Sequence, residues 1–280
     1  MSYSNHKLLT QDGLKLHTHQ WTIDKPKAQI LFVHGYCEHA GRYTSEAQFF
    51  NEAGYDFHAY DQRHHGLSEG SPKSYIQEFS SYIDDLELFI KSKASNDNAV
   101  ILMAHSMGSL VMVSYLLERT PSLPQLKGIV LSAPFLQPDR NTAPILQKLA
   151  VVIGTLLPKL KTVGIDSNAI SRDENEVNKY VNDPLNYAGK IFARSGYQLL
   201  RQMKQIRKKF HKLTLPILIM HGTDDKLAEI GGSQMLYDLC SSEDKEFIVL
   251  KDYKHEITRD LDHLYVRETM QSWMDERITA

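Results

Sequence analysis

Residues 100 to 108, Val-Ile-Leu-Met-Ala-His-Ser-Met-Gly, constrain this chain more than any other stretch. An apolar run of the kind a buried strand carries breaks at a serine, and a helix-forming segment, Ser109 to Arg119, follows at once. That order predicts a nucleophile elbow, a sharp strand-to-helix turn that exposes the serine oxygen at the end of a sheet. Ala104 and Gly108 are the small residues two before and two after Ser106 that let such a turn pack. Small-x-Ser-x-Gly arises by chance roughly 0.2 times in a chain this long, so the weight rests on the strand and helix around it. Ser106 is the candidate nucleophile.

Strand and helix patterns alternate along most of the chain. Strands are expected at Leu14 to Ile23, Gln29 to Val33, Tyr55 to Tyr60, Gly128 to Ser132, Leu215 to Met220 and Phe247 to Leu250. Helices are expected at Tyr43 to Ala53, Ser233 to Leu239 and Leu261 to Ile278. Another runs from Tyr75 to Lys93, with Ile76, Phe79, Ile83, Leu86 and Ile90 on one stripe. This order predicts an α/β fold with a mostly parallel central sheet and helices on both faces. Roughly eighty residues separate Ser132 from Leu215, far more than a simple crossover needs. The expected organisation is a core of residues 1–136 and 212–280, with an inserted helical cap, or lid, at 137–211.

Composition narrows the partners. At 280 residues and 42% hydrophobic the chain can bury a large core, and a net charge of -2 carries no nucleic-acid signature. Two cysteines, Cys37 and Cys240, make neither a metal pattern nor a disulfide framework. The first residues lack the apolar segment of a secretory signal, and no apolar run reaches the 18 or so residues that span a bilayer. A cytoplasmic protein is expected. No G-x-G-x-x-G follows the first strand and no Walker pattern occurs, so no nucleotide cofactor is expected. His34 to His39 has one residue too many for H-x-x-E-H, so no metal is expected either.

Ligands of open α/β sheets bind beyond the carboxyl ends of the strands. A serine hydroxyl there needs a base to take its proton, and the base needs a buried carboxylate to orient it. In this architecture the chain order is serine, acid, histidine. Of the 13 histidines, His255 follows the last strand and is the candidate base. His105 adjoins the nucleophile on a tight turn and is expected to point away and pack. His34, His64 and His65 are expected to shape loops, and His263 to lie on the final helix. Asp225 is the preferred acid, with Asp224 and Asp252 as alternatives. The developing oxyanion needs backbone donors. The amide of Met107, just after the nucleophile, and that of Tyr36, after His34-Gly35, are the candidates.

With these pieces in place, the chain resembles the monoacylglycerol lipase and lysophospholipase branch of the α/β-hydrolases. The match runs from about residue 12 to 275 through HGYCEHAGRY (34–43), DQRHHGLSEG (61–70), AHSMG (104–108), SRDENEVNKYVNDPL (171–185) and HGTDDKL (221–227). The resemblance implies Ser106, Asp225 and His255 as a catalytic triad, with Tyr36 and Met107 as oxyanion amides. It departs from the family at Ala104, usually glycine, and at His64, where D-x-R-G-H-G-x-S has glycine. Glu38, Arg42 and Tyr180 match positions near the polar end of the family's pocket, where they either meet the substrate's head group or pin the oxyanion loop.

The implied activity is hydrolysis of small lipid esters through an acyl-enzyme, with monoacylglycerol first and a lysophospholipid or short-chain ester as alternatives. A silent binding or scaffold relative is the non-enzyme alternative, and such relatives typically lack a triad member. In the cap, Pro144 to Pro158 is strongly apolar, either packed inside the cap or forming a lid face that meets lipid. Arg201 to Lys212 holds six Lys and Arg residues and no acidic one, either a solvated face or one drawn to an anionic membrane. The second reading of either segment would bring the cap into peripheral contact with a membrane.

Overall fold

The computed structural model of the chain describes residues 1–93, 98–138 and 144–278, those from 144 to 149 by their backbone. Part of the expected cap (139–143) and the side chains of the apolar run at 144–149 lie outside the described residues.

Strands covered on both faces read as unbroken apolar sequence. Apolar runs of that kind lie in β3 (Ala28–Val33), β5 (Ala99–His105), β6 (Leu126–Ser132) and β7 (Ile217–Gly222), and β4 (Tyr55–Tyr60) is equally buried although it carries Asp56 and His58. With β1 (Ser2–Leu9), β2 (Lys15–Thr22) and β8 (Lys245–Leu250) they make a sheet in the order 1-2-4-3-5-6-7-8. β1–β2 and β2–β4 pair antiparallel, and every other pair is parallel. Alternate residues of each strand serve two cores. Ile30, Phe32, Ile101 and Met103 pack with α1 (Thr44–Glu52) and α8 (His263–Ile278). Leu31, Val33, Leu102 and Ala104 pack with α2 (Ser80–Lys93), α3 (Met107–Arg119) and α7 (Ile230–Leu239).

The parallel register aligns the strand ends. Val33 pairs with Ala104, His105 with Ser132, Ser132 with Met220, and Gly222 with Leu250. The loops after β3, β5, β7 and β8 therefore emerge on one edge. Among the described residues, three α-helices lie between β6 and β7: α4 (Pro144–Leu156), α5 (Glu174–Asn182) and α6 (Ala193–Arg207). α6 also buries Leu199, Met203 and Ile206 in the core beside α3.

Two elements differ from the sequence reading. α2 begins at Ser80, not Tyr75, because the preceding backbone bonds elsewhere: Ile76 N–H donates to Ser195 Oγ of α6 at 2.9 Å, and Tyr36 donates to Ser74 O at 2.5 Å. β1, which the pattern did not show, is exposed on nearly every residue, so it lacks the alternation that marks a half-buried strand. It forms by pairing along its length with β2, from Ser2–Thr22 to Leu9–Lys15.

Candidate active site

β5 ends at His105 and α3 begins at Met107, leaving Ser106 alone in the turn at φ 52 and ψ -121. That backbone is strained for a residue with a Cβ, and functional serines at elbows sit in such strain. Glycine is required at 108, since a Cβ there would lie 2.3 Å from Val33 O and 2.5 Å from His34 O. Ala104 is fully buried beneath the turn, so its extra methyl is accommodated.

Ser106 Oγ lies 2.9 Å from His255 Nε2, and His255 Nδ1 lies 2.7 Å from Asp225 Oδ2. A carboxylate only accepts, so Nδ1 carries the proton and Nε2 is free to accept from the serine. Asp225 is fixed in turn by the amides of Leu227 (2.8 Å) and Ala228 (2.9 Å) and by His221 Nε2 (3.0 Å). His221, which the sequence reading quoted without a role, is buried and also bonds Ser233 Oγ at 2.7 Å. Burial would raise the Asp225 pKa, but His255 and His221 outweigh it and hold the carboxyl far below the usual range. Burial would lower the pKa of His255, but the Asp225 carboxylate leaves it above the ordinary imidazole value.

The alternative acids lie elsewhere. Asp224 pairs with Lys226 on the surface at 2.8 Å, and Asp252 is an exposed turn residue at φ 64. His105 does not point away as expected: its ring centroid is 4.7 Å from that of His255. Its Nδ1 lies 3.2 Å from Ser132 Oγ, and burial pushes its pKa down to about 4, so it stays neutral against the base. His64 adopts φ 64, the left-handed region that suits the family's glycine, and is held by Pro72 O at 3.0 Å.

The amides of Tyr36 and Met107 donate to no acceptor among the described residues. Both flank the serine: Met107 follows it, and a Cβ on Gly35 would lie 3.2 Å from Ser106 Cβ. Glu38, Arg42 and Tyr180 come together beside this loop. Arg42 Nη1 donates to Glu38 Oε2 at 2.6 Å and its guanidinium clasps both oxygens of Glu256 at 2.7 and 2.9 Å, with the Tyr180 ring 4.7 Å away. Arg259 bridges Glu46 at 3.0 Å and stacks on Tyr43 at 3.9 Å. Sequence reading missed Glu46, Glu256, Arg259 and Arg267 here, because the partners lie more than 200 positions apart.

The Hydrolase_4 family, described as serine aminopeptidase S33, matches residues 24–262. A monoacylglycerol lipase from Mycolicibacterium smegmatis is 31% identical over 275 residues, covering 97% of this chain and 96% of the relative. The crystal structure of a Paleococcus ferrophilus monoacylglycerol lipase superposes with a TM-score of 0.81 at 25% identity, over 99% of this chain and 100% of that one. A soluble variant of the Saccharomyces cerevisiae monoglyceride lipase, in complex with a substrate analogue, gives a TM-score of 0.87 at 21% identity, over 99% and 95% of the two chains. The architecture is the α/β-hydrolase fold.

Proposed function

We propose a function on one premise: the chain belongs to the Hydrolase_4 family, serine aminopeptidase S33. It is a serine ester hydrolase whose substrate is a monoacylglycerol, released as fatty acid and glycerol. The observation that carries this reading is the Ser106–His255–Asp225 relay, two hydrogen bonds of 2.9 and 2.7 Å at the carboxyl edge of the sheet. The monoacylglycerol lipase of 31% identity along the whole chain supplies the substrate class.

Ser106 Oγ attacks the ester carbonyl carbon as its proton passes to His255 Nε2. The carbonyl oxygen becomes an oxyanion, and the amides of Tyr36 and Met107 donate to it. Asp225 stabilises the imidazolium. Collapse breaks the bond to the glycerol oxygen, which leaves with the proton from His255. Water then attacks the acyl-enzyme, giving its proton to His255, and the fatty acid departs as Ser106 regains its hydrogen.

Residues 137–211 act as a cap over a core of 1–136 and 212–280. Val151, Val152, Leu156, Leu157, Leu160 and Val163 are exposed, between 44% and 72%. Such a patch suits a lipid surface, from which the substrate is drawn. The contact proposed is peripheral; no helix among the described residues is long and apolar enough to cross a membrane.

The test is fatty-acid release from monooleoylglycerol and from an oleoyl lysophospholipid, side by side, with Ser106→Ala as blank. Faster, Ser106-dependent release from the glyceride is expected. Faster release from the lysophospholipid would move the substrate and keep the mechanism.

A further inference from the structure

Gly35 is held from both sides by buried side chains that the reaction itself does not use. Its amide donates to Glu38 Oε1 at 2.6 Å, and its carbonyl lies 2.8 Å from His34 Nδ1. The His34 tautomer follows from its other nitrogen. The backbone amide of Gln62 donates to Nε2 at 2.9 Å, so Nε2 is the acceptor and Nδ1 carries the proton. His34 therefore donates to Gly35 O. In a trans peptide the carbonyl and the following N–H point in opposite directions. Fixing Gly35 O on His34 thus turns the Tyr36 N–H the other way, out of the loop. A Cβ on Gly35 would meet Glu38 Oε1 at 2.8 Å, Ser106 Cβ at 3.2 Å and His105 Cδ2 at 3.3 Å. The loop backbone is pressed directly against the nucleophile.

Glu38 is itself immobilised. Tyr43 donates to its Oε1 at 2.8 Å and Arg42 to its Oε2 at 2.6 Å. Arg42 also clasps Glu256, the neighbour of His255 in sequence, so one guanidinium spans the oxyanion loop and the base loop. Burial would raise the Glu38 pKa, but the guanidinium of Arg42, helped by that of Arg259, outweighs it and keeps the carboxylate charged. His34 is fully buried, and burial lowers its pKa, which keeps Nε2 free for Gln62. Both oxygens of Glu38 thus accept from the protein, and the side chain is buried.

We infer that Glu38 and His34 are positioning residues that clamp Gly35 from its two ends and so aim the Tyr36 amide at the oxyanion. The clamp acts through Gly35 and touches no substrate atom. It rests on the serine-hydrolase reading only in needing a reaction at Ser106.

The test therefore uses a water-soluble p-nitrophenyl ester. Wild type, Glu38→Ala, Glu38→Gln and His34→Gln are compared, with thermal melts to establish folding. Losses of 10- to 10³-fold in kcat are expected for Glu38→Ala and His34→Gln, up to the effect of deleting an oxyanion donor, on the order of 10²- to 10³-fold. KM should stay within about threefold, since only transition-state binding is lost. Glu38→Gln keeps an acceptor for the Gly35 amide and should recover most of the loss. The acyl-enzyme carbonyl, read by isotope-edited infrared, should move to higher frequency in Glu38→Ala and His34→Gln as its hydrogen bond weakens. Should Glu38→Ala not fold, His34→Gln carries the comparison. A raised KM with unchanged kcat would overturn the clamp and make Glu38 a substrate contact. A lowered kcat with an unmoved carbonyl band would overturn it as well. Failure of the monoacylglycerol reading looks different: wild type would cleave the p-nitrophenyl ester and leave monooleoylglycerol intact.

Discussion

The floor of the site and the cap above it use their side chains in opposite ways. On the floor, Glu38, Glu46, Glu256 and Arg259 are each less than 5% exposed, and their charged groups meet inside the protein. Such buried ion pairs contribute little net stability once desolvation is counted, but losing one partner leaves an uncompensated charge. They fix geometry. In the cap, α4 exposes Val151, Val152 and Leu156 and rests on α6 through Gly154, where a Cβ would lie 2.6 Å from Tyr197 Cβ. The first region buries its charged groups against one another, and the second leaves apolar side chains exposed. On the proposed function, chemistry belongs to the first region and access to lipid to the second, so the two are separable by mutation.

The largest effect should follow from cutting the relay beneath the base. Asp225→Asn should lower kcat on the order of 10⁴-fold, since the amide favours the wrong imidazole tautomer. The same variant sharpens the pH account. His255 must be neutral to accept a proton, so kcat/KM in the wild type should fall as pH drops through its pKa, which Asp225 holds above the ordinary 6.5. In Asp225→Asn that acid limb should move to lower pH. An unshifted limb would assign the titration to another group.

Next in size is the packing under the elbow. Gly108→Ala places a methyl 2.3 Å from Val33 O, backbone that cannot swing aside. We expect a loss of about 1–3 kcal/mol in stability by denaturant unfolding, the usual cost of overpacking, with a parallel loss of activity on every ester. A neutral result would show that β3 and α3 can separate, against a rigid floor.

The smallest effect should come from the cap and should depend on the substrate's physical state. Leu156→Ser with Leu157→Ser should lower hydrolysis of monooleoylglycerol presented in vesicles by about tenfold, the effect of losing partial burial in lipid from side chains whose full burial is worth about 1.5–3 kcal/mol each. Hydrolysis of a short-chain ester in solution should not change. Equal losses on both would break the separation of chemistry from access.

What the sequence revealed follows the same division. β3, β5, β6 and β7 were legible because burial on both faces leaves apolar runs, and strand ends in parallel register point to where functional residues gather. The serine, acid and histidine loops were legible for that reason, and the structure brings Ser106, Asp225 and His255 within hydrogen-bond reach. β1 was not, since its polar, exposed residues carry no period. The orientation of His105 was misjudged, because its contact is with His255, 150 positions on, and local turn geometry says nothing of that partner. Glu38 and Arg42 were singled out through the family resemblance, but their partners Glu256 and Arg259, with Glu46 and Arg267, were illegible for the same reason, since they meet across more than 200 positions. For the apolar run in the cap, periodicity could not choose between packing and exposure. The described end, Val151 to Leu157, is mostly exposed.

The most direct test of the account is the mass of the protein after brief exposure to a fluorophosphonate, followed by peptide mapping. Only an activated serine reacts quickly. The account predicts one adduct per chain, on Ser106, absent in Ser106→Ala and strongly slowed in His255→Ala. No adduct on folded protein, or an adduct on another serine, would contradict it.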